Sequence, residues 1–591
     1  MASPVGRRAL DPRVLLLTSL AIAVAAAAGL IAQGLTRLIG LITNLCFYGR
    51  LSTSFTSPAG NHLGAWVIAI PIGGALIVGV MARYGSRAIR GHGIPEAMEM
   101  VLLHRSKIPA RITLLKPISA AISIGTGGPF GAEGPIIATG GALGSLVGQL
   151  VRVTTDERKT LLAAGAAAGM TATFGSPVSA VLLAVELLLF EYRARSLIPV
   201  VMACCVAAAV RIAFVGALPV FAMPTPSVPG AAAMACYVAL GATVGLASVG
   251  VTKVVYWIED GFERLPIHWM WWPALGAVVV GVVGLVSPHT LGVGYDNIEH
   301  IVSGEIAGEA LLALFLWKWL SWTVSLGSGT SGGTLAPLFT IGGGLGATLG
   351  GVLVALAPGL GVDVKLAALV GMAAMFAGAS RALLTSVVFA FETTRQPVGL
   401  LPLLGGCAAA YFVSSLLMEN TIMTEKLARR GTRVPTDYSA DFLDRLLVRD
   451  AGSRALVTLS AAATIAQARA AIAGIPHQGF PVIDSSGQLT GVVTRRDLDQ
   501  EPDAGRILSD IVTRAALTIF EDATLREAAD LMTSEDVGRL AVTTRGAPNV
   551  PVAVITRSDL IAAHARRLDE THTIEENLLG RSSTARTHLQ Q

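Results

Sequence analysis

Few residues in this chain could do chemistry, and the first is Glu133. It stands in the stretch GTGGPFGAEGPI (125–136), where five glycines and two prolines surround one carboxylate in an otherwise apolar region. A helix that begins inside an apolar medium presents unpaired backbone N–H groups and a partial positive charge, which together make an anion site without a fixed cation. Three segments fit that description: GHGIP (91–95), GAEGP (131–135) and GTLAP (333–337). Each starts on glycine and carries proline near the first helical turn, where the missing N–H costs nothing. The competing reading is that these glycines only let helices pack closely. A carboxylate near a bilayer centre costs about 2.5–3.5 kcal/mol on insertion scales, so Glu133 needs a reason to be there. Its carboxylate can occupy an anion site when ionised and leave when protonated or displaced, which would make it a gate. As a plain cap on its own helix it would make nearly the same contact without the motion.

The elements that must position these residues are membrane helices. The 591-residue chain is 52% hydrophobic and only 14% charged, which is not the balance of a soluble enzyme. Val14 to Thr36 runs without a charge, enough at about 1.5 Å per residue to cross a hydrocarbon core of roughly 30 Å. The run continues into LIGLITNLCFYG, so it reads as a retained helix rather than a cleaved leader. Further apolar segments are expected near 64–82, 112–124, 136–150, 160–190, 197–222, 231–257, 272–287, 308–326, 335–357, 366–392 and 399–418. Many are short or broken by Gly and Pro. Such breaks are tolerated in a bilayer where the freed backbone is buried in protein or lines a polar cavity, which favours a transporter or channel over an anchor. The five cysteines (Cys46, Cys204, Cys205, Cys236, Cys407) lie in apolar runs without metal-ligand spacing and read as helix-packing residues. A net charge of +4 suggests no nucleic-acid partner. Arg7, Arg8 and Arg13 ahead of the first span, with a charged C-terminal region, predict that both termini are cytoplasmic.

Comparing the chain with itself shows a repeat about 200 residues apart. GTGGPFGAEGPIIATGGALGSLVG from Gly125 matches GSGTSGGTLAPLFTIGGGLGATLG from Gly327, superposing Gly131 on Gly333, Pro135 on Pro337, Gly140 on Gly342 and Gly144 on Gly346; Lys116 falls on Lys318. Upstream, GHGIPEAME from Gly91 matches GVGYDNIEH from Gly292, and downstream two further segments end on Glu186 and Glu392. The membrane part is therefore two copies of one unit, expected at about 64–222 and 231–425. Inversion is favoured if the ligand is central, since half-helices can then aim their ends at one point from opposite leaflets.

At these residues the chain resembles the CLC family of chloride channels and chloride/proton exchangers: GHGIP is similar to its GSGIP motif, GAEGP to GREGP, GTLAP to GxFxP, and TEKLARRG (424–431) follows its last membrane helix. The resemblance covers roughly residues 14–430 and implies a polytopic α-helical protein of two antiparallel repeats, a homodimer with one pore per subunit, embedded in the plasma membrane. It implies that Glu133 is the gating glutamate, and that the backbone of Gly93, Ile94, Gly131, Gly134, Thr334 and Leu335 surrounds the anion. Two positions depart from the family. The serine of GSGIP is His92 here, and the pore tyrosine falls at Met423. His92 could donate an N–H to the anion and make transport sensitive to pH, or point into its loop without a ligand. Met423 offers only a thioether and reads as pore wall. The inner glutamate of proton-coupled members follows the position of Glu186, and that residue is Leu187. A leucine cannot shuttle protons, which moves weight toward a channel or a weakly coupled exchanger. Fluoride-selective relatives also depart at the GSGIP serine, which keeps another anion in play.

After about residue 430 charges become frequent and short apolar runs alternate, as in a soluble α/β domain. GFPVIDSSGQLTGVVTRRDL (479–498) matches GRLAVTTRGAPNVPVAVITRSDL (538–560), each after a helical stretch. The pattern resembles a tandem pair of CBS domains, expected at 453–503 and 504–566 after a linker at 431–452, with a polar tail at 567–591. Such pairs imply regulation and an adenine nucleotide, held by Thr494 with Asp497 and by Thr556 with Asp559. The same Thr and Asp also spell an ordinary helix N-cap. No cofactor is required for transport itself. No Ser/His/Asp, metal or phosphate-loop constellation marks an enzyme. Two other readings are a membrane-anchored nucleotide sensor, which would need neither the breaks nor the buried acid, and a cation transporter, which would show several intramembrane carboxylates.

Overall fold

The computed structural model describes residues 13–431, 434, 443, 446–452, 456–475, 477–512 and 516–572. Arg7, Arg8, most of the expected linker and the tail beyond 572 lie outside the described residues. The chain forms two compact units, one up to Tyr438 and one from Ser439.

The first unit is helical. Its first half runs α1 (Arg13–Tyr48), α2 (Ala69–Tyr84), α3 (Ile94–Leu103), α4 (Ile112–Gly125), α5 (Glu133–Leu150), α6 (Thr155–Phe174), α7 (Pro177–Leu183), a π-helical turn (Ala184–Leu189) and α8 (Ala194–Val215). Its second half runs α9 (Ala231–Glu263), α10 (Trp272–Val286), α11 (Tyr295–Ser303), α12 (Gly308–Gly327), α13 (Leu335–Leu356), α14 (Val364–Ser380), α15 (Leu383–Thr394) and α16 (Leu400–Leu417), followed by the short α17 (Glu425–Arg429). Eight helices among the described residues are long and apolar enough to cross a membrane. The short ones between them are what the Gly and Pro interruptions produce.

The two halves correspond element for element. α5 packs on α6 and α13 on α14, while α1 packs on α6 and α8 and α9 on α14 and α16. The first copy therefore begins at α1, ahead of the expected residue 64, and its partner is α9. α1 carries none of the glycine motifs by which the copies align in sequence, which is why the match began later. The expected spans 160–190 and 366–392 are each two helices. The first breaks at Gly175 (φ +63°) and the second at Arg381 (φ +60°), both in the left-handed conformation that ends a helix.

Close packing explains some of the repeated glycines. A Cβ on Gly140 would lie 2.1 Å from the Gly165 carbonyl oxygen, and one on Gly342 would lie 2.4 Å from that of Gly371. These positions bring α5 onto α6 and α13 onto α14 at backbone contact, so there the packing reading of the glycines holds. At the N-termini of α3, α5 and α13 a different reason applies, given below.

In the second unit two three-stranded sheets form. β1 (Leu459–Ser460) pairs parallel with β2 (Gly479–Ile483), which pairs antiparallel with β3 (Leu489–Thr494). β4 (Thr518–Phe520), β5 (Arg539–Thr544) and β6 (Ala547–Thr556) repeat that order. Each sheet packs on a helix, Ile465–Ala471 or Leu525–Ser534, begun by a threonine capping box at Thr464 or Thr524. The cores exchange segments. Val448, expected in the linker, is buried with Ile519, Leu525 and Leu540 of the second domain, and Leu508 and Ile511, expected in the second domain, pack in the first. Leu447 bridges Thr524 and Thr464 bridges Ile507, so each exchanged segment docks at the start of the other domain's helix.

Candidate functional site: a buried carboxylate where broken helices meet

The three glycine-started segments converge. Gly91 N–H donates to Thr330 O (2.9 Å), Gly333 N–H to Gly131 O (2.9 Å) and Gly131 N–H to Gly333 O (3.3 Å), stitching the loops before α3, α5 and α13 together. A Cβ on Gly134 would lie 2.0 Å from His92 O and 3.0 Å from Gly333 Cα, and one on Gly93 (φ +96°) would lie 2.3 Å from Gly134 O. Only glycine fits where backbones approach this closely. The starts of α5 and α13 meet head to head, as equivalent helices of an inverted pair must at a central point.

Glu133 is the first residue of α5 and is fully buried. Its Oε1 accepts a hydrogen bond from the Ala336 amide (2.8 Å) in the first turn of α13, and its Oε2 accepts from the Tyr295 hydroxyl (3.3 Å) at the start of α11. The carboxylate thus caps a helix other than its own. Of the residues read as surrounding the anion, Thr334 is the N-cap of α13 and Leu335 its first residue; the Leu335 backbone also faces the carboxylate, but the closest donor is the Ala336 amide. The repeat carried a signal for this, because Ala336 is the counterpart of Gly134.

Around this point lie polar atoms with no hydrogen-bond partner among the described residues. They are both ring nitrogens of His92, which is 2% exposed, and the Thr334 hydroxyl, which is fully buried. The His92 ring lies against the Ile422 backbone, whose carbonyl also accepts from Tyr256 Oη (2.8 Å), and Met423 next along is fully buried among apolar side chains. Buried donors without partners are rare because each costs about 1–3 kcal/mol. A small anion could accept from the Thr334 hydroxyl and from the His92 nitrogen that carries the proton. Leu187 is buried beside Glu186 on the π-helical turn.

Two lysines that sequence reading noted only as matching each other hold the loops. Lys116 Nζ donates to Ile89 O (2.8 Å) and Gly91 O (2.9 Å); Lys318 Nζ donates to Thr290 O and Gly292 O (both 2.9 Å). Each is buried and fixes the loop leading into α3 or α11. The glutamates that ended the sequence repeat work across the halves: Glu186 accepts from the Leu384 and Thr385 amides (both 3.0 Å) and the Thr385 hydroxyl (2.6 Å) of α15, and Glu392 accepts from the Val178 (3.0 Å) and Ser179 (2.8 Å) amides of α7.

In the second unit Thr494 and Thr556 cap helices with Asp497 and Asp559. Their hydroxyls donate to the partner carboxylates at 2.6 and 2.7 Å. Thr556 and Asp559 also line a cleft of about 430 Å³ with His477, Phe480 and Arg539, and Thr494 lines a second cleft of about 610 Å³ that shares Arg539. Burial draws the Arg539 guanidinium below its ordinary value, and the nearby Asp497 opposes that shift.

Head-to-head broken helices around a buried carboxylate, in a two-copy helical membrane unit, define an ion-conducting or ion-exchanging protein of inverted-repeat design. The voltage gated chloride channel family model matches residues 73–415, and CBS domain models match 448–501 and 508–566. The chain belongs to that chloride channel family and carries a tandem CBS pair. It is 31% identical to the H(+)/Cl(-) exchange transporter ClcA of Vibrio campbellii over 383 residues, which is 63% of this chain and 82% of that one. It is 27% identical to the chloride channel protein CLC-f of Arabidopsis thaliana over 563 residues, 81% of this chain and 70% of that one. Among solved structures, a slow cyanobacterial Cl⁻/H⁺ antiporter aligns with TM-score 0.64 at 23% identity, covering 71% of this chain and 99% of that one. A CLC-type fluoride/proton antiporter aligns with TM-score 0.58 at 19% identity, covering 69% and 98%. This is a multi-pass membrane protein for anion transport, and the cation-transporter and anchored-sensor readings fall away.

Proposed function

We propose that this chain moves chloride across the plasma membrane, as a homodimer with one pore per subunit and both termini cytoplasmic, and that Glu133 is its gate. The observation that carries the reading is the Glu133 carboxylate seated on the Ala336 amide, in the position an anion would take at the N-terminus of α13. Protonation or displacement of the carboxylate frees that seat. The backbone of Ile94, Gly134, Thr334 and Leu335 lines the path around it, while the Gly93 amide is taken by the Glu96 carboxylate (2.6 Å) and that of Gly131 by the Gly333 carbonyl, so these two glycines shape the path rather than donate. His92 and Thr334 supply unpartnered polar groups, and Met423 forms wall. Leu187 gives a proton no carrier next to Glu186, so coupling to protons is weak or absent. Relatives named as an exchanger and as a channel protein both support an anion as cargo.

The test is reconstitution in liposomes, with chloride efflux and proton uptake measured for wild type and Glu133→Gln. The reading expects the substitution to change chloride flux several-fold, and unchanged flux would overturn it. A second reading, fluoride as the favoured anion, rests on His92 standing where the family has serine. It expects His92→Ser to shift the fluoride-to-chloride flux ratio, and an unshifted ratio removes it. In the second unit we propose an adenine nucleotide in the cleft of Thr556, Asp559 and Arg539, with the equivalent Thr494 and Asp497 pair serving the other cleft. Titration calorimetry with ATP on the full-length protein should show binding that Asp559→Ala abolishes, and absence of heat would leave the pair a ligand-free scaffold.

A further inference from the structure

Tyr295 has no counterpart in the chemistry that the glycine-started motifs supply, yet its hydroxyl reaches the centre of the site. It is the first residue of α11, following Gly294 (φ +75°). The loop before it is held by Lys318 through the carbonyls of Thr290 and Gly292. Three aromatic neighbours fix the ring: Phe174 edge-on at 5.5 Å, Phe221 at 6.2 Å and Phe55 stacked at 6.2 Å. Held on three sides, the ring directs its hydroxyl into the start of α5, beside the Ala132 backbone and toward Glu133 Oε2 at 3.3 Å.

The two oxygens of Glu133 are therefore held from two loops of the second half, one by a backbone amide of α13 and one by the hydroxyl of α11. When the carboxylate leaves, both donors face the vacated position, and an unpaired buried hydroxyl is costly. An anion arriving there meets the same two donors. The 3.3 Å contact is longer than the roughly 2.8 Å of a tight O–H···O bond, so the hydroxyl can exchange one partner for the other at low cost. His92 and Met423 leave this chain without hydroxyls where its family has a serine and a tyrosine, and Tyr295 brings one in at Glu133 instead.

We propose that the Tyr295 hydroxyl is a ligand of the gate: it latches the Glu133 carboxylate in the closed arrangement and binds the permeating anion once that carboxylate has left. The proposal rests on Glu133 being the gate. Its test is a four-protein comparison in liposomes of wild type, Tyr295→Phe, Glu133→Gln and the double variant, recording initial efflux against internal chloride. Phenylalanine keeps the ring contacts and removes one hydroxyl, and melting of the same preparations checks that the fold is intact. With Glu133→Gln the latch is already weakened, so adding Tyr295→Phe should raise the half-saturating chloride concentration about 2- to 10-fold, the worth of one hydrogen bond. In the wild-type background Tyr295→Phe should raise efflux at saturating chloride. If Glu133→Gln changes flux while Tyr295→Phe shifts neither quantity in either background, the Tyr295 proposal is wrong and the gate stands. If Glu133→Gln itself leaves flux unchanged, the gate fails and the proposal with it.

Discussion

The first half of the membrane unit and the second share a scaffold but not a chemistry. Lys116 and Lys318 clamp equivalent loops, Gly140 and Gly342 pack equivalent helices, and Glu186 and Glu392 cap each other's half. At the centre the symmetry ends. Glu133 faces the second half where the repeat puts Leu335, His92 stands where it puts Val293, and Tyr295 where it puts Ile94. A duplicated frame needs its supports twice, because each half-helix must be held at the meeting point. It needs one carboxylate at the centre, because Glu133 alone fills the seat at the opposing helix terminus.

If that division is right, damage to the supports should be symmetric. Lys116→Met and Lys318→Met each remove the ammonium donor from two loop carbonyls, of which only Gly91 O keeps a second donor among the described residues, the Gly332 amide. Each should therefore cost roughly 2 kcal/mol or more and lower the melting temperature of the purified protein by similar amounts. A large drop from one and none from the other would break the equivalence of the halves. The reciprocal caps sharpen the same point on a smaller scale. Glu186→Ala and Glu392→Ala should each cost about 1 kcal/mol, as lost helix caps do. Glu186→Ala should be the larger, since that carboxylate also accepts from the Thr385 hydroxyl. Equal melting curves for Glu392→Ala and wild type would show that the cap from the second half contributes nothing.

What could be read in the sequence follows the same line. The glycine and proline pattern placed the starts of α3, α5 and α13, because backbone approach and a missing N–H leave composition no choice there. Glu133 was legible as the one acid among those breaks. Tyr295 was not, because GVGYD carries no proline and its meaning depends on a contact with a residue far away in the chain. The only signal was its alignment with the first helical residue of GHGIP. The lysines were seen as a matching pair, but that they bind carbonyls of the glycine loops could come only from three dimensions. Likewise α1 lacks any motif to mark it as the partner of α9, and the exchange of Val448 and Leu508 between the two α/β domains is a docking choice that local pattern does not encode. Long-range hydrogen bonds and exchanged segments are set by tertiary packing, and no periodicity announces them.

The central claim is that the second half of the chain offers an anion seat and that Glu133 fills it. Chloride efflux from liposomes, wild type against Glu133→Gln with internal chloride held fixed, addresses it most directly. A several-fold change in efflux from that one substitution, with proton uptake small in both proteins, is the result expected. Equal chloride efflux from the two proteins would contradict it.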